Sequence, residues 1–359
     1  MAGHSPALVN LCNCLRGLPP LDVDWMSVLG LANQTLTTPA LIGLVDQFAS
    51  VMPDDVCAYV RNIYDRNLLR NDRLAAQLEE AVAAMNGQGV TPVLLKGAAT
   101  LASAPYERRG VRLMADLDLM VMPEETERAV AALVAIGYGI REQTSPAGQR
   151  WYVELNRSCD VGTIDLQRSA PGPAYYYRDP GNVLNHCRPT LLGRGRVYIP
   201  TPTYQALILI IHDQFQDYGY WLGDIDLRHL LELRDLNDSV DGIDWNELAS
   251  HVSGKLMRNA VETELLALAE LLGVDVPRSL RSGLIARLQF LRRLMQARFP
   301  VTRVPLLAMA VLDLVNYRRE APIQHQQTSK RRRRSWSMPR ADTLQFLLRT
   351  GAAVRAGKV

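Results

Sequence analysis

Cysteine, one-sided charge and long apolar runs are all scarce in this 359-residue chain. The five cysteines are odd in number and scattered apart from Cys12 and Cys14, so neither a disulfide framework nor a CxxC pair is present. That excludes a small disulfide-stapled secreted fold and fits a reducing compartment. The six histidines are dispersed, with no zinc-ligand spacing among them. Basic and acidic residues nearly cancel, 40 against 37 for a net charge of +3, which argues against nucleic acid or an anionic membrane as the main partner. The most apolar short run, ALILII at 206–211, is far too short to cross a bilayer. The first residues, MAGHSPALVNLCNCLRG, have no basic start and no long apolar stretch, so no signal peptide and a cytoplasmic location are expected.

What is there is an ordinary globular composition, 48% hydrophobic and 21% charged, in a chain long enough for two or three domains. Residues 1–88 read as helical. From Pro53 to Met85 there is no internal proline or glycine; Asp54 or Asp55 is placed to cap the start, and Gly87 and Gly89 to end it. Residues 89–200 change character. VTPVLLKG (90–97) is a short β-rich run, ATLASAP a short helix and DLDLMVM (116–122) an alternating strand. EETERAVAALVAIG (124–137) reads as an amphipathic helix. WYVEL (151–155) and VGTIDLQ (161–167) read as two further strands joined as a hairpin, and 171–196 as loop. Strands interleaved with helices indicate an α/β or α+β layer. Residues 201–325 read as a helical domain, opened by the Thr201–Pro202 cap pair, with Tyr204, Leu207, Ile208, Ile211, Phe215 and Tyr218 at helical spacing. Asp244 and Glu247 suggest a capping box. Residues 326–359 hold the basic run KRRRR (330–334) and a last helix.

The chemistry signal is MADLDLMV (114–121). In a strand, Leu117, Leu119 and Val121 point to the core, while Asp116 and Asp118 share the other face with Cα atoms about 6–7 Å apart. Two such carboxylates repel, and a divalent cation would offset the repulsion. Spacing alone says little, because Asp-x-Asp also occurs at Asp22/Asp24 and Asp224/Asp226. The first of those follows two prolines as loop or cap, and the second opens a helix, where i and i+2 diverge. Even the 116/118 pair fits either a metal site or a solvated edge strand. Three features favour the metal. Lys96-Gly97 ends a strand and starts a helix, where backbone and charge suit phosphate, though an ordinary strand–helix turn reads the same way. Arg112 precedes Asp116 by four residues, where it would neutralise the acidic cluster or touch a phosphate, though a surface arginine reads the same way. Asp165 in TIDLQ supplies an acid from a later strand, as a third ligand, a general base for an acceptor hydroxyl, or a plain hairpin polar residue.

Taken together, LLKG, a short helix, VRLMADLDLMV, a helix ending in GY and the later TIDLQ resemble the nucleotidyltransferase fold of the DNA polymerase β superfamily. Within it they are most similar to the bacterial group called uncharacterised nucleotidyltransferases. The resemblance covers about residues 90–250. It implies an α+β fold: a small mixed-sheet core flanked by an N-terminal helical segment and a C-terminal helical bundle. It implies Asp116, Asp118 and Asp165 as catalytic and metal-holding residues, with Lys96, Gly97 and Arg112 on the nucleotide. Two Mg²⁺ ions (or Mn²⁺) and an NTP follow, with a small molecule, peptide or protein as acceptor. Two departures stand out: Ala98 replaces the usual serine after the glycine, and Gln167 stands where an Asp-x-His motif has its histidine. His212 and Asp226-Leu227 also match the group's pattern, but no role follows for them, and a histidine on an apolar helix is more often core than catalyst. The competing readings are nucleic-acid binding through KRRRR next to Trp336, for which a solvated linker is the simpler account, and an inactive nucleotide-binding relative.

Overall fold

The computed structural model describes residues 6–143, 151–172, 176–177, 182–310 and 357–359. The KRRRR run, Trp336 and the expected last helix lie outside them. The chain divides into two compact units: 37–174 with 179–208, and 1–36, 175–178 and 209–359. Among the described residues no helix is long and apolar enough to cross a membrane. The helices are α1 (Pro6–Leu15), α2 (Trp25–Gln34), α3 (Ile42–Phe48), α4 (Asp54–Gly87), α5 (Lys96–Ser103), α6 (Thr126–Ala135), α7 (Pro202–Ile211), α8 (Gly219–Leu222), α9 (Leu227–Asn237), α10 (Trp245–His251), α11 (Lys255–Leu272), α12 (Leu284–Arg298) and α13 (Arg303–Leu306). The strands are β1 (Val93–Leu94), β2 (Asp116–Met120), β3 (Gly139–Gln143), β4 (Tyr152–Asn156), β5 (Thr163–Gln167), β6 (Cys187–Leu192) and β7 (Gly195–Pro200). The fold is therefore α+β, as expected.

All seven strands form one mixed sheet, ordered β3-β4-β5-β2-β1-β7-β6. β2 pairs parallel to β5 and antiparallel to β1, and β4–β5 is the expected antiparallel hairpin. Alternation decides which side chains go inside. Leu117, Leu119, Val153, Leu155, Ile164 and Leu166 are fully buried and pack with Leu74, Leu78, Val82 and Met85 of α4. The same helix uses amide and guanidinium groups to hold the loops that feed β2 and β5. Asn67 and Asn71 donate to the Arg112 carbonyl at 2.8 Å each, Arg70 donates to Met114 and Val161, and Gln77 donates to Gly162. Those carbonyls have no partner within a strand, so each bond satisfies a polar group that burial would otherwise leave unpaired.

In the other unit α11 is central and packs against α1, α9 and α12, burying Leu256, Ala260, Leu265 and Leu268. The structure departs from the sequence reading in four places. Residues 187–200 form the β6–β7 hairpin rather than a loop running to 196; the arginines on its outward faces masked the alternation. The edge strand β3 was missed because every residue in it is exposed, so no apolar face marks it. Asp54 and Asp55 lie inside the first turn of α4, whose cap is Pro53. The helix begun at Pro202 does not run to Tyr218: α7 ends at Ile211, a π-helical turn spans His212–Gln216, and Tyr218 is left-handed at φ 61°. The Thr201 cap holds, its hydroxyl accepting from Tyr204. Asp24 caps α2, Asp226 caps α9 and Asp244 caps α10.

Candidate active site

Pleating puts Asp116 and Asp118 on one face of β2, and the parallel register sets Asp118 directly beside Asp165 on β5. Asp116, Asp118 and Asp165 each present a carboxylate oxygen within 4.8 Å of the others. The convergence follows from two short alternating sequences paired in one register. A one-residue slip would send Asp165 to the core face and Leu166 outward.

The three acids are unequally enclosed. Asp118 is buried, while Asp116 and Asp165 are half-buried. Burial, and then the charges of Asp116 and Asp118, push the Asp165 carboxyl up to about 7. Burial also raises Asp118, against the opposing pull of Lys96. The Lys96 ammonium donates to Asp118 Oδ1 at 2.7 Å, and Gln167 Nε2 donates to the same oxygen at 3.2 Å. Tyr152, whose neighbour across the β4–β5 ladder is Gln167, directs its hydroxyl to Asp165. Thr163 adds a 3.4 Å hydrogen bond to Asp165 Oδ1.

Lys96 sits at the turn from β1 into α5 with φ 45°, a left-handed conformation that a lysine adopts at a cost of about 1–3 kcal/mol. The turn brings its ammonium to the acids. Gly97 has a packing reason of its own: a Cβ there would lie 2.1 Å from the Arg112 Nη1 and 2.9 Å from its Cζ. The glycine thus makes room for the Arg112 guanidinium, whose charge also acts on Asp118. Lys96, Gly97, Arg112, Asp116, Asp118 and Asp165 therefore meet at one end of the sheet. Ala98, at the position where a serine was expected, is fully buried in the core.

Sequence reasoning noted Gln167 only as a departure from the motif, and missed Tyr152 and the carbonyl-holding residues of α4. Gln167 and Tyr152 carried a usable signal, since Gln167 lies two residues after Asp165 in the same strand and Tyr152 alternates with the buried Val153. Asn67 and Asn71 carried none, because a helical asparagine reads as solvent-facing. His212 and Asp226 belong to the other unit.

Three convergent carboxylates are hard oxygen donors of the kind that hold Mg²⁺ or Mn²⁺. Burial and the neighbouring carboxylates raise Asp165, and a bound cation would offset the repulsion among the three. The residues fit the ion. The profile of a family described as uncharacterised nucleotidyltransferases matches residues 22–273, well over half of the chain. No curated protein and no solved structure matches.

Proposed function

The chain belongs to that uncharacterised nucleotidyltransferase family, and from this premise we propose that it moves a nucleoside monophosphate from an NTP to a hydroxyl or phosphate acceptor with release of pyrophosphate. The observation that carries the reading is the convergence of Asp116, Asp118 and Asp165 within 4.8 Å on one sheet face. Asp116, Asp118 and Asp165 would hold two divalent cations, Mg²⁺ or Mn²⁺, which when bound supply charge stabilisation at the transferring phosphoryl group.

This chain's own residues would do the rest. Lys96, freed from Asp118 once that carboxylate is otherwise engaged, turns its ammonium to the triphosphate. Arg112, held against Gly97, offers a second positive charge from a fixed position. The acceptor oxygen attacks the α-phosphorus as the bond to pyrophosphate breaks, and where the acceptor is a hydroxyl its proton passes to Asp165. Tyr152 and Thr163 fix the rotamer of Asp165, and Gln167 that of Asp118. Catalysis of this kind is mostly positioning and electrostatics. The acceptor would be a small molecule, a peptide or a protein.

The test is pyrophosphate release from each NTP with Mg²⁺ in the presence of a cell extract, with labelled α-phosphate followed into protein or metabolite. Label transfer that disappears in Asp116→Ala supports the reading. Equal transfer by the wild type and this variant would overturn it.

A further inference from the structure

Helix α12 wears much of its apolar surface outward. A surface helix ordinarily turns its apolar stripe to the core and its polar side to water. In α12, Ala286, Phe290 and Leu294 do pack inward, but they share that side with Gln289, Arg292, Arg293 and Gln296, each only 1–2% exposed. Arg293 donates to Glu264 of α11 at 2.9 Å, and Arg292 donates to the Trp221 carbonyl at 2.7 Å and to Gln289 at 3.1 Å. Burial, with Arg293 alongside, pulls Arg292 down to about 10. The exposed residues of the helix are Leu284, Arg287, Leu288, Leu291, Met295 and Arg298, and no others. Leu284 is 72% exposed and Leu291 56%. At helical pitch the four apolar residues fall in a stripe about 60° wide, with both arginines along one border. The turn after the helix extends the stripe with Phe299, Val301 and Val304, all exposed, and the Arg298 guanidinium lies over the Phe299 ring.

Charge decides what can cover this face. Residues 276–310 hold seven arginines and no acid. A second copy docked about a two-fold axis would set the same arginines against each other. Residues 311–356 carry ten basic residues against three acids, so the chain's own later segment is repelled as well. A nucleic acid would match the arginines and leave the leucines in water. An anionic bilayer surface satisfies both, taking aliphatic side chains to the boundary of headgroups and acyl chains and offering phosphates to the cations. The shape agrees. The apolar residues come from one helix and its trailing turn, a ridge that a lipid interface can surround. A second signal for the same surface follows in the sequence as KRRRR, and reversible peripheral binding rests on two such signals rather than one. The near-even charge of the whole chain conceals this stretch.

We propose that the outward face of α12 and the turn after it form a docking surface for an anionic lipid bilayer. Leu284, Leu288, Leu291, Met295 and Phe299 enter the interface, and Arg287 and Arg298 pair with lipid phosphates. The helix lies on the bilayer and does not cross it. This surface is independent of the sheet acids and of the nucleotidyl transfer assigned to them.

The probe is a vesicle of phosphatidylcholine with about a third phosphatidylserine, compared with phosphatidylcholine alone. At about 0.1 M salt the full chain should sediment with the first and stay in solution with the second. Leu288→Glu with Leu291→Glu should weaken sedimentation by about tenfold or more without lowering the unfolding midpoint, since both side chains face solvent. Arg287→Gln with Arg298→Gln should weaken it by about tenfold, and decides the matter should the first variant not fold. A full chain that ignores both vesicles refutes the proposal, whether it runs as a dimer that the leucine variant splits or instead shifts a single-stranded oligonucleotide. So does binding that both variants retain and that replacement of Arg331–Arg334 by alanine removes, because the basic run alone would then hold the lipid.

Discussion

The two acid clusters have nearly the same parts and opposite economies of charge. On the sheet, Asp116, Asp118 and Asp165 share one ammonium, that of Lys96, and two of the three remain half open. In the helical unit, Asp213 and Asp226 are sealed, and Lys358 and His229 meet them from inside. The contrast shows in the carboxyl groups themselves. Asp165 is pushed up to about 7, while Asp226 is held down at about 2. An acid that burial and like charge have raised is short of a cation, and one that is lowered already has it. Proximity of carboxylates alone therefore does not distinguish the two clusters; the cations that face them do. That difference can be broken or sharpened by experiment.

The largest effect should come from removing the internal cation. Lys358→Met leaves two buried carboxylates facing each other and should cost about 3–5 kcal/mol of stability, read from urea unfolding. Lys96→Met should cost clearly less, because Asp118 can be served by Arg112 and by added Mg²⁺. Equal losses for the two variants would erase the distinction between a sealed and an open cluster.

Next in size is the activity itself. Asp118→Asn should lower nucleotidyl transfer by about a hundredfold or more while leaving the unfolding midpoint in Mg²⁺-free buffer unchanged or higher, since a repelling charge has gone. An acid held for stability would show the reverse: a fall in midpoint and little change in rate.

The pH dependence follows with its sign fixed. Because the folded chain keeps the Asp165 proton up to about 7, whereas an unfolded aspartate releases it near about 3.9, the folded state binds more protons across that window. The contribution of this group to stability is therefore most favourable in acid and declines as the pH rises from about 4 to about 7. Asp165→Asn should flatten that decline in Mg²⁺-free buffer, and saturating Mg²⁺ should flatten it in the wild type. A wild-type chain and an Asp165→Asn chain with parallel midpoint-versus-pH curves would show that the three acids do not feel one another.

Much of the sheet site was legible in the sequence because strand alternation is a local rule. DLDLM and TIDLQ each state which residues face outward, and Asp116, Asp118 and Asp165 follow directly. What the alternation does not state is the partner of each strand, so the role of Gln167 as a donor to Asp118, and of Tyr152 as a neighbour of Asp165, waited for the register. Strands β3, β6 and β7 fared worse for a related reason: an exposed edge has no apolar face to read, and arginines interrupt the alternation of the β6–β7 hairpin. Of the Asp213 cluster only Asp226 stood out in the sequence, and without a role. Its members come from a π turn, a helix cap and a lysine more than a hundred residues later, and no spacing rule links them. The HDQF and DLRH segments looked like ordinary helix because the single π turn that re-aims Asp213 has no periodicity of its own.

The smallest expected effect tests where the sheet cluster ends. Across β2, β5 and β4 the register sets Asp118, Asp165 and Glu154 in one row, and Arg141 on the edge strand closes it with a 2.7 Å bond to Glu154. Arg141 is 63% exposed, so the pair is screened by water and by salt, and its net worth is small. Arg141→Ala should change stability by no more than about 0.5 kcal/mol. It also leaves Glu154 without its cation, next to an acid already raised by its neighbours. If the metal-holding set stops at Asp165, the added negative charge acts only from a distance, and Mg²⁺ affinity should rise by less than about threefold, an effect that 0.5 M salt removes. A gain of about tenfold or more that survives salt would mean that Glu154 enters the cation site once Arg141 is gone. The open cluster would then consist of four acids, one of them ion-paired to an edge-strand arginine until that arginine is removed.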